Sequence, residues 1–363
     1  MSIKYIKGFD ALRAISILFV LQAHLGTFHL LPNSTFLREG VWHLISGSTG
    51  VNIFFVLSGF LITRILLNER REYGTINLRN FYIRRLLRLT PPVIILLLVL
   101  FSLMITGLIK ESYLGLAMAS TYTFNYAPLH DMTPELGHMW SLSVEEQYYF
   151  LWPIALLAIK KHKTILALSA ILIFVCILYM QYIGHIPIID THSISIKGYN
   201  IILGKFFNTR HWLIPAIGPI LIGSSISMLI HYNQERANKL FSTNKLITPI
   251  ALLLFLSPLF LPLSIAGFFA PTQSLGVALF LTWILFNQTN AICNILELPL
   301  LRYIGRISYG LYVYHGLFVR TGPEGATLTI QQFPINIILT FITAILSYEL
   351  MEQKVLRYKQ QFK

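Results

Sequence analysis

Charged residues are scarce in this chain of 363 residues. Asp, Glu, Lys and Arg together make up 12% of it, about half of the roughly 25% that is usual for a soluble domain. Hydrophobic residues make up 55%, and the mean hydropathy is +0.64. These values exclude a disordered chain, a collagen and an ordinary soluble enzyme. They predict an all-α polytopic membrane protein, that is, a bundle of transmembrane helices.

Cysteine is also rare. The two cysteines, Cys176 and Cys293, lie in apolar stretches, with neither the spacing of a metal site nor that of a disulfide framework. We therefore expect them to pack as small apolar residues, and we expect no bound metal. The first apolar stretch contains Arg13 and His24 and lacks a small-residue cleavage site, which favours a retained helix over a signal peptide.

Apolar windows locate the predicted spans, because a spanning helix needs about 20 apolar residues. Ten helices are predicted, at 14–37, 40–63, 89–109, 138–159, 164–189, 211–234, 246–296 (two helices), 303–321 and 325–348. The segment 111–137 is short and interrupted by polar residues, so we interpret it as external or re-entrant. The whole of 1–363 is interpreted as one integral-membrane domain without an appended soluble domain.

The net charge of +13 comes from 28 basic and 15 acidic residues. The basic residues concentrate in one set of alternate loops, most of all in 64–88. The positive-inside rule then places both termini in the cytoplasm. The excess of positive charge is therefore interpreted as a topology signal, so the expected partner is membrane lipid and no nucleic acid.

Ionisable side chains inside a span are costly and are functional candidates by default. Arg13 and His24 lie eleven residues apart on the first helix, nearly on one face and about 16.5 Å apart along the axis. Asp10 is placed to hold the Arg13 guanidinium. The alternatives are a topology anchor for Arg13 and a polar link between helices for His24.

The fourth predicted helix contains two adjacent carboxylates. Glu145 and Glu146 cannot face the same way, because successive helical residues diverge by about 100°. We expect one of them to face the cavity that holds His24 and the other to pair elsewhere, and Ser141 shares its helical face with Glu145. A structural hydrogen-bond network is the alternative for either glutamate.

A polar stripe follows the ninth predicted helix, where Tyr309, Tyr312 and His315 recur every three residues. Hydrogen-bonded helix packing is the alternative to a role in catalysis here. Three helices nevertheless place titratable groups at overlapping depths. This convergence predicts a site near the middle of the bilayer.

Three arginines precede the third predicted helix. Arg84, Arg85 and Arg88 have the planar donors that suit phosphate recognition, although lipid headgroups are an alternative ligand. Ser58, in the sequence SGFLIT, permits close approach of helices around the site.

The order and spacing of six segments resemble the membrane-bound acyltransferase family 3, whose members O-acylate bacterial surface and secreted glycans. The matching segments are FDALRAISILFVLQAH, GVNIFFVLSGFLIT, FYIRRLLRLTPP, MWSLSVEEQYYFLWP, ISYGLYVYHG and LSYELMEQ. One departure concerns the last of them. The family usually has a proline after the final glutamate motif, whereas Glu352 is followed by Gln353 and Lys354.

The resemblance implies an acyl-CoA donor, usually acetyl-CoA, and a hydroxyl acceptor on a glycan or lipid-linked sugar. It implies no permanently bound cofactor and a location in the bacterial plasma membrane. It further implies that Arg13 and His24 are needed for transfer, and it suggests the same for Arg85 and Arg88. The acceptor and the oligomeric state stay open.

We expect the phosphates of CoA to meet Arg13, Arg84, Arg85 or Arg88 at the cytoplasmic mouth, with the pantetheine arm reaching towards His24. His24 then acts as general base or as an acyl relay, and Glu145 orients its ring. The alternatives are a proton-coupled transporter or flippase of a glycan precursor, and a non-enzymatic partner in glycan assembly.

Overall fold

The computed structural model describes residues 5–26, 44–182, 207–319, 328–358 and 361. In these ranges the chain is helical and forms no β-strand beyond an isolated bridge between Pro128 and Phe207, which confirms the all-α class. The principal helices are α1 (Phe9–His24), α2 (Gly47–Tyr73), α3 (Leu78–Ile105), α4 (Met139–Ala158), α5 (His162–Tyr182), α6 (Gly218–Tyr232), α7 (Ile247–Phe255), α8 (Phe269–Phe286), α9 (Pro299–Tyr314) and α10 (Ile335–Ser347).

Shorter helical segments connect these helices. The α-helical ones are Tyr113–Ser120, Leu213–Ala216, Gln234–Thr243, Ala291–Ile295 and Gln353–Tyr358, and a π-helical turn at Tyr348–Glu352 follows α10. Single 3-10 turns lie at Phe124–Tyr126, Leu129–Asp131, Thr209–His211, Ser257–Leu259, Leu263–Phe268, His315–Phe318 and Thr329–Gln331.

Five helices in the described ranges are long and apolar enough to cross a membrane. They are Gly47–Tyr73, Leu78–Ile105, His162–Tyr182, Ser264–Phe286 and Ile335–Tyr358. Each principal helix overlaps one of the ten predicted segments, but the count of ten spans and the cytoplasmic termini stay predictions. Parts of five predicted segments, 27–37, 40–43, 183–189, 320–321 and 325–327, lie outside the described residues.

The segment 111–137 does not form a continuous spanning helix. Its longest helix, Tyr113–Ser120, has eight residues and extends about 12 Å, far less than the width of the hydrocarbon core. The hydroxyl of Ser112 donates to both the main-chain oxygen and the carboxylate of Asp131, at 3.0 Å each. These bonds fold the segment back on itself, as expected for an external or re-entrant segment.

The arginine-rich region 64–88 is helical over most of its length rather than a loop. Helix α2 continues to Tyr73, and α3 begins at Leu78 after a short turn in which Gly74 has a φ of 77°. The helices extend past the charge-free windows because charged residues end the apolar stretch but do not interrupt the hydrogen bonding of the helix backbone. Arg85 and Arg88 therefore share one face of the second and third turns of α3.

Helix α2 lies at the centre of the bundle, between α1 and α6, and its close contact with α6 depends on glycines. A Cβ atom at Gly59 would lie 2.0 Å from the Ile220 carbonyl oxygen, and one at Gly223 would lie 2.2 Å from that of Val56. Small residues permit such an approach between membrane helices. By contrast, α3 and α5 expose apolar side chains such as Leu98 and Phe174, which suits contact with lipid.

We expect Gly59→Ala to destabilise the bundle by about 1–3 kcal/mol or more, because its methyl group would force α2 and α6 apart. The measurement is the midpoint of thermal unfolding of the purified protein in detergent. Gly218→Ala, on α6, is the matched control because its Cβ would meet the nearest atom at an ordinary 3.4 Å. Equal midpoints for the two variants would contradict this account of the packing.

Candidate active site

A cavity of about 250 Å³ lies between helices α1, α2, α3, α4 and α9. Eight of the predicted site residues line it: Arg13, Ser58, Arg85, Arg88, Ser141, Glu145, Tyr309 and Tyr312. Tyr149 and Ser308 add polar surface, and Phe54, Phe55 and several aliphatic side chains form the apolar wall. The tertiary structure thus brings together polar groups from five helices that are far apart in the sequence.

Three arginines, Arg13, Arg85 and Arg88, carry the positive charge of the cavity. The Nη1 atom of Arg13 donates to Asp10 Oδ1 at 2.8 Å, the contact that the spacing predicts. The guanidinium of Arg85 lies over the rings of Phe81 and Tyr149, 5.6 and 5.4 Å from their centroids. Its Nε atom is buried without a hydrogen-bond partner among the described residues. A buried donor of this kind fits an anionic ligand.

Arg84 does not line this cavity, in contrast to the prediction. Its Nη2 atom donates to Glu69 Oε2 at 3.3 Å, which links the first turns of α3 to the end of α2. Residues 84 and 85 diverge by about 100° around the helix, so the same turn sends one arginine into the cavity and the other to a carboxylate outside it.

Glu145 lines the cavity, whereas Glu146 does not. The Oε1 atom of Glu145 accepts short hydrogen bonds from the hydroxyls of Ser58 and Tyr149. Ser58 therefore contributes a hydroxyl to the site as well as a small side chain for packing. Both carboxylates interact electrostatically with Arg85, so the two neighbours differ in lining and hydrogen bonding rather than in their charge partner.

Removing the Glu145 carboxylate should destabilise the protein. We expect Glu145→Ala to cost about 1–3 kcal/mol, because two buried hydroxyls lose their acceptor. The measurement is the thermal unfolding midpoint in detergent. Glu111→Ala is the control, because Glu111 is exposed. An unchanged midpoint for Glu145→Ala would mean that these hydroxyls find other acceptors at no cost.

The stripe of α9 forms the other wall of the cavity. The hydroxyl of Tyr309 donates to the Leu89 carbonyl oxygen at 2.5 Å. The hydroxyl of Tyr312 forms a short hydrogen bond with Ser141 and lies 3.1 Å from the carbonyl oxygen of His138. The two tyrosines therefore tie α9 to α3 and α4, and they present their rings and hydroxyls to the cavity.

Three histidines form a cluster immediately beyond Tyr312. Helix α1 ends at His24, α4 begins after His138, and α9 ends before His315. His24 Nδ1 and His315 Nε2 are hydrogen bonded at 2.8 Å, with the rings nearly parallel. The His138 ring centroid lies 4.7 Å from that of His315. No group of three metal-ligating side chains arranged to hold an ion occurs in the described part of the chain.

This arrangement changes two expectations about His24. Its hydrogen-bond partner is His315, whereas Glu145 is bonded to Ser58 and Tyr149. His24 is also absent from the lining of the cavity. Helix α1 ends at this residue, so its side chain lies at the level of the helix ends. Arg13, eleven residues earlier, lines the cavity itself.

His138 and Tyr149 are two residues of the site that the sequence motifs did not predict. His138 precedes α4, at the edge of the predicted span, and lies three residues before Ser141 and seven before Glu145. That spacing places all three on one helical face. Tyr149 lies one turn after Glu145. The helical period was therefore the available signal, although it does not reveal which partners the side chains meet.

A family model described as an acyltransferase domain matches residues 6–351. The chain belongs to acyltransferase family 3. The match covers all five helices around the cavity and the histidine cluster, so the resemblance of the six sequence segments is confirmed.

Curated relatives match nearly the whole chain. A peptidoglycan O-acetyltransferase of Listeria monocytogenes is 27% identical over 97% of the chain and 56% of its own length. A putative O-acetyltransferase of Staphylococcus aureus is 28% identical over 96% of the chain and 57% of its own length. A putative peptidoglycan O-acetyltransferase of Bacillus subtilis is 27% identical over 97% of the chain and 55% of its own length. The chain thus spans little more than half of these relatives. No solved structure matches it.

Proposed function

We propose that this protein is a membrane O-acyltransferase of the bacterial plasma membrane, with both termini in the cytoplasm. It moves an acyl group, in the first instance acetyl, from cytoplasmic acyl-CoA to a hydroxyl of a surface or exported glycan. The observation that carries the proposal is a cavity with three arginines next to a histidine cluster, in a chain of an acyltransferase family. The names of the relatives, two of which specify peptidoglycan, support a glycan acceptor.

The arginines are proposed to bind the phosphates of the acyl-CoA. Arg13, Arg85 and Arg88 line one cavity, and the buried Nε of Arg85 has no partner among the described residues. Phosphate oxygens would supply its acceptor, in a charge-assisted hydrogen bond. Arg13 and His24 are about 16.5 Å apart along α1, a separation that suits a ligand with a charged end and a remote thioester.

His24 is proposed to act on the thioester end. As general base it takes the proton of the acceptor hydroxyl, the hydroxyl oxygen bonds to the acyl carbon, and the carbon–sulfur bond breaks. The proton then passes from His24 to the leaving thiolate. As a relay, the ring nitrogen itself bonds to the acyl carbon and the carbon–sulfur bond breaks; the acceptor oxygen then bonds to that carbon, the carbon–nitrogen bond breaks, and the hydroxyl proton passes by way of the freed ring nitrogen to the thiolate. Both routes need an unprotonated ring nitrogen of His24.

The proposal is tested with the purified chain in lipid vesicles, supplied with acetyl-CoA and a muropeptide or oligosaccharide acceptor. We expect release of CoA that depends on the acceptor, and a gain of one acetyl group in the acceptor by mass spectrometry. Movement of the glycan across the vesicle membrane without CoA release would instead indicate a transporter. Mass spectrometry of surface glycans from cells with and without the active gene would identify the acyl group and the modified sugar.

A further inference from the structure

We propose that His315 is a positioning residue that fixes the tautomer of His24 through a chain of two hydrogen bonds. The inference rests on the proposed function, but its central claim concerns the protonation of two rings and can be tested without turnover. The observations are the contact of His24 Nδ1 with His315 Nε2 at 2.8 Å and that of His315 Nδ1 with the Tyr312 carbonyl oxygen at 2.6 Å.

The direction of both hydrogen bonds follows from the carbonyl group. A carbonyl oxygen is only an acceptor, so His315 Nδ1 must carry the hydrogen and donate it to Tyr312. A neutral imidazole has one donor and one acceptor nitrogen, so His315 Nε2 is then the acceptor. The hydrogen between the rings therefore belongs to His24 Nδ1. In neutral His24 the lone pair is left on Nε2.

The surroundings favour this arrangement. His315 is fully buried and His24 is partly buried, which opposes a second proton, most strongly on His315. His138 and Tyr312 are further titratable residues that pack against His315, and the His138 carbonyl oxygen lies near the Tyr312 hydroxyl. Tyr312 thus contributes its hydroxyl to the cavity wall and its carbonyl oxygen to the histidine pair.

The Nε2 atom of His24 lies beside the first residue of α2. A Cβ atom at Gly47 would lie 3.7 Å from this nitrogen, an ordinary van der Waals distance, so Gly47 and not His315 is the neighbour on this side of the ring. The reactive nitrogen is thereby distinguished from Nδ1, which His315 occupies. In this arrangement His315 exchanges neither a proton nor an acyl group with the substrates, and it acts only by orienting His24.

Two substitutions separate positioning from packing. In His315→Gln the side-chain oxygen takes the place of Nε2 and still accepts from His24 Nδ1, whereas His315→Phe preserves a planar ring without an acceptor. We expect His315→Phe to lower kcat by about 10- to 100-fold, the magnitude seen for partners that orient metal-ligating histidines, with little change in KM for acetyl-CoA. His315→Gln should recover most of the lost kcat. His162→Phe, at the start of α5, is the matched control.

The tautomer is read directly by NMR of the full chain labelled with 15N-histidine in detergent, with the His24 signals identified by their loss in His24→Gln. The wild type and His315→Gln should show His24 protonated on Nδ1, and His315→Phe should lose this preference. If wild-type His24 is protonated on Nε2, the inference is overturned whether or not acyl transfer occurs. Full kcat in His315→Phe, in an active enzyme, overturns it as well. If the wild type has the expected tautomer but transfers no acyl group, the result counts against the proposed function and not against this inference.

Discussion

Replacing His24 by glutamine is expected to lower acceptor-dependent CoA release by about 100- to 10,000-fold, the usual contribution of a general base. Glutamine retains an amide that can bond to His315 but has no nitrogen with a basic lone pair. The effect should fall on kcat, because His24 lies outside the arginine cavity and its proposed role is at the reacting end of the donor rather than at its charged end. The measurement is initial CoA release in vesicles at saturating acetyl-CoA.

The control for this prediction is His162→Gln, which removes a histidine at the start of α5, away from the cavity. Both variants should retain the unfolding midpoint of the wild type within a few degrees. His24→Gln with wild-type kcat would contradict both the general-base and the relay mechanism. If a labelled acyl group remains on the wild type after quenching in the absence of acceptor, and is lost in His24→Gln, the relay is favoured.

Replacing Arg85 by glutamine is expected to raise KM for acetyl-CoA by roughly 10- to 150-fold, with kcat much less affected. A hydrogen bond to a charged group contributes about 1.5–3 kcal/mol. The proposed contact is with a phosphate far from the reacting carbon, so it stabilises the ground state and the transition state equally and affects KM rather than kcat. Increasing salt should weaken acetyl-CoA binding to the wild type more than binding to the variant. The measurement is the dependence of acceptor-dependent CoA release on acetyl-CoA concentration.

Two comparisons make this prediction specific. Acetyl-pantetheine, which lacks the nucleotide and its phosphates, should show the same KM with the wild type and with Arg85→Gln. Arg84→Gln is the neighbouring control, because Arg84 pairs with Glu69 outside the cavity. The KM of this variant for acetyl-CoA should stay close to that of the wild type. If Arg84→Gln raises KM as much as Arg85→Gln, the arginines act through general charge at the membrane surface rather than through the cavity.

Much of the helical organisation could be predicted from composition alone. In a membrane every backbone polar group must be paired, so a long apolar stretch becomes a helix with few alternatives. The helix boundaries were harder to predict. The charge-free window ends at Thr63, yet α2 continues to Tyr73, because arginines are compatible with a helix that leaves the apolar layer. The short helix Tyr113–Ser120 was correctly separated from the spans by its length.

The site could be predicted in part. Spacing along single helices placed Asp10 beside Arg13 and set Glu145 apart from Glu146, because both relations depend only on the helical period. Spacing did not reveal that Arg84 pairs with Glu69, since a glutamate 15 residues earlier on another helix can be a partner only after α2 and α3 pack together. The same holds for Tyr149, whose hydroxyl reaches Glu145 and whose ring lies against Arg85.

The sequence by itself determined the membrane class, the helices, the family and the residues that face one way on each helix, because these follow from local hydrophobicity, helical period and ordered motifs. The tertiary structure decided which residues become partners: His315 rather than Glu145 for His24, and Ser58 and Tyr149 for Glu145. The reason is physical. A hydrogen bond between helices depends on their relative rotation and depth, which are fixed by side-chain packing, such as the glycine contacts of α2 with α6, rather than by the spacing within either helix.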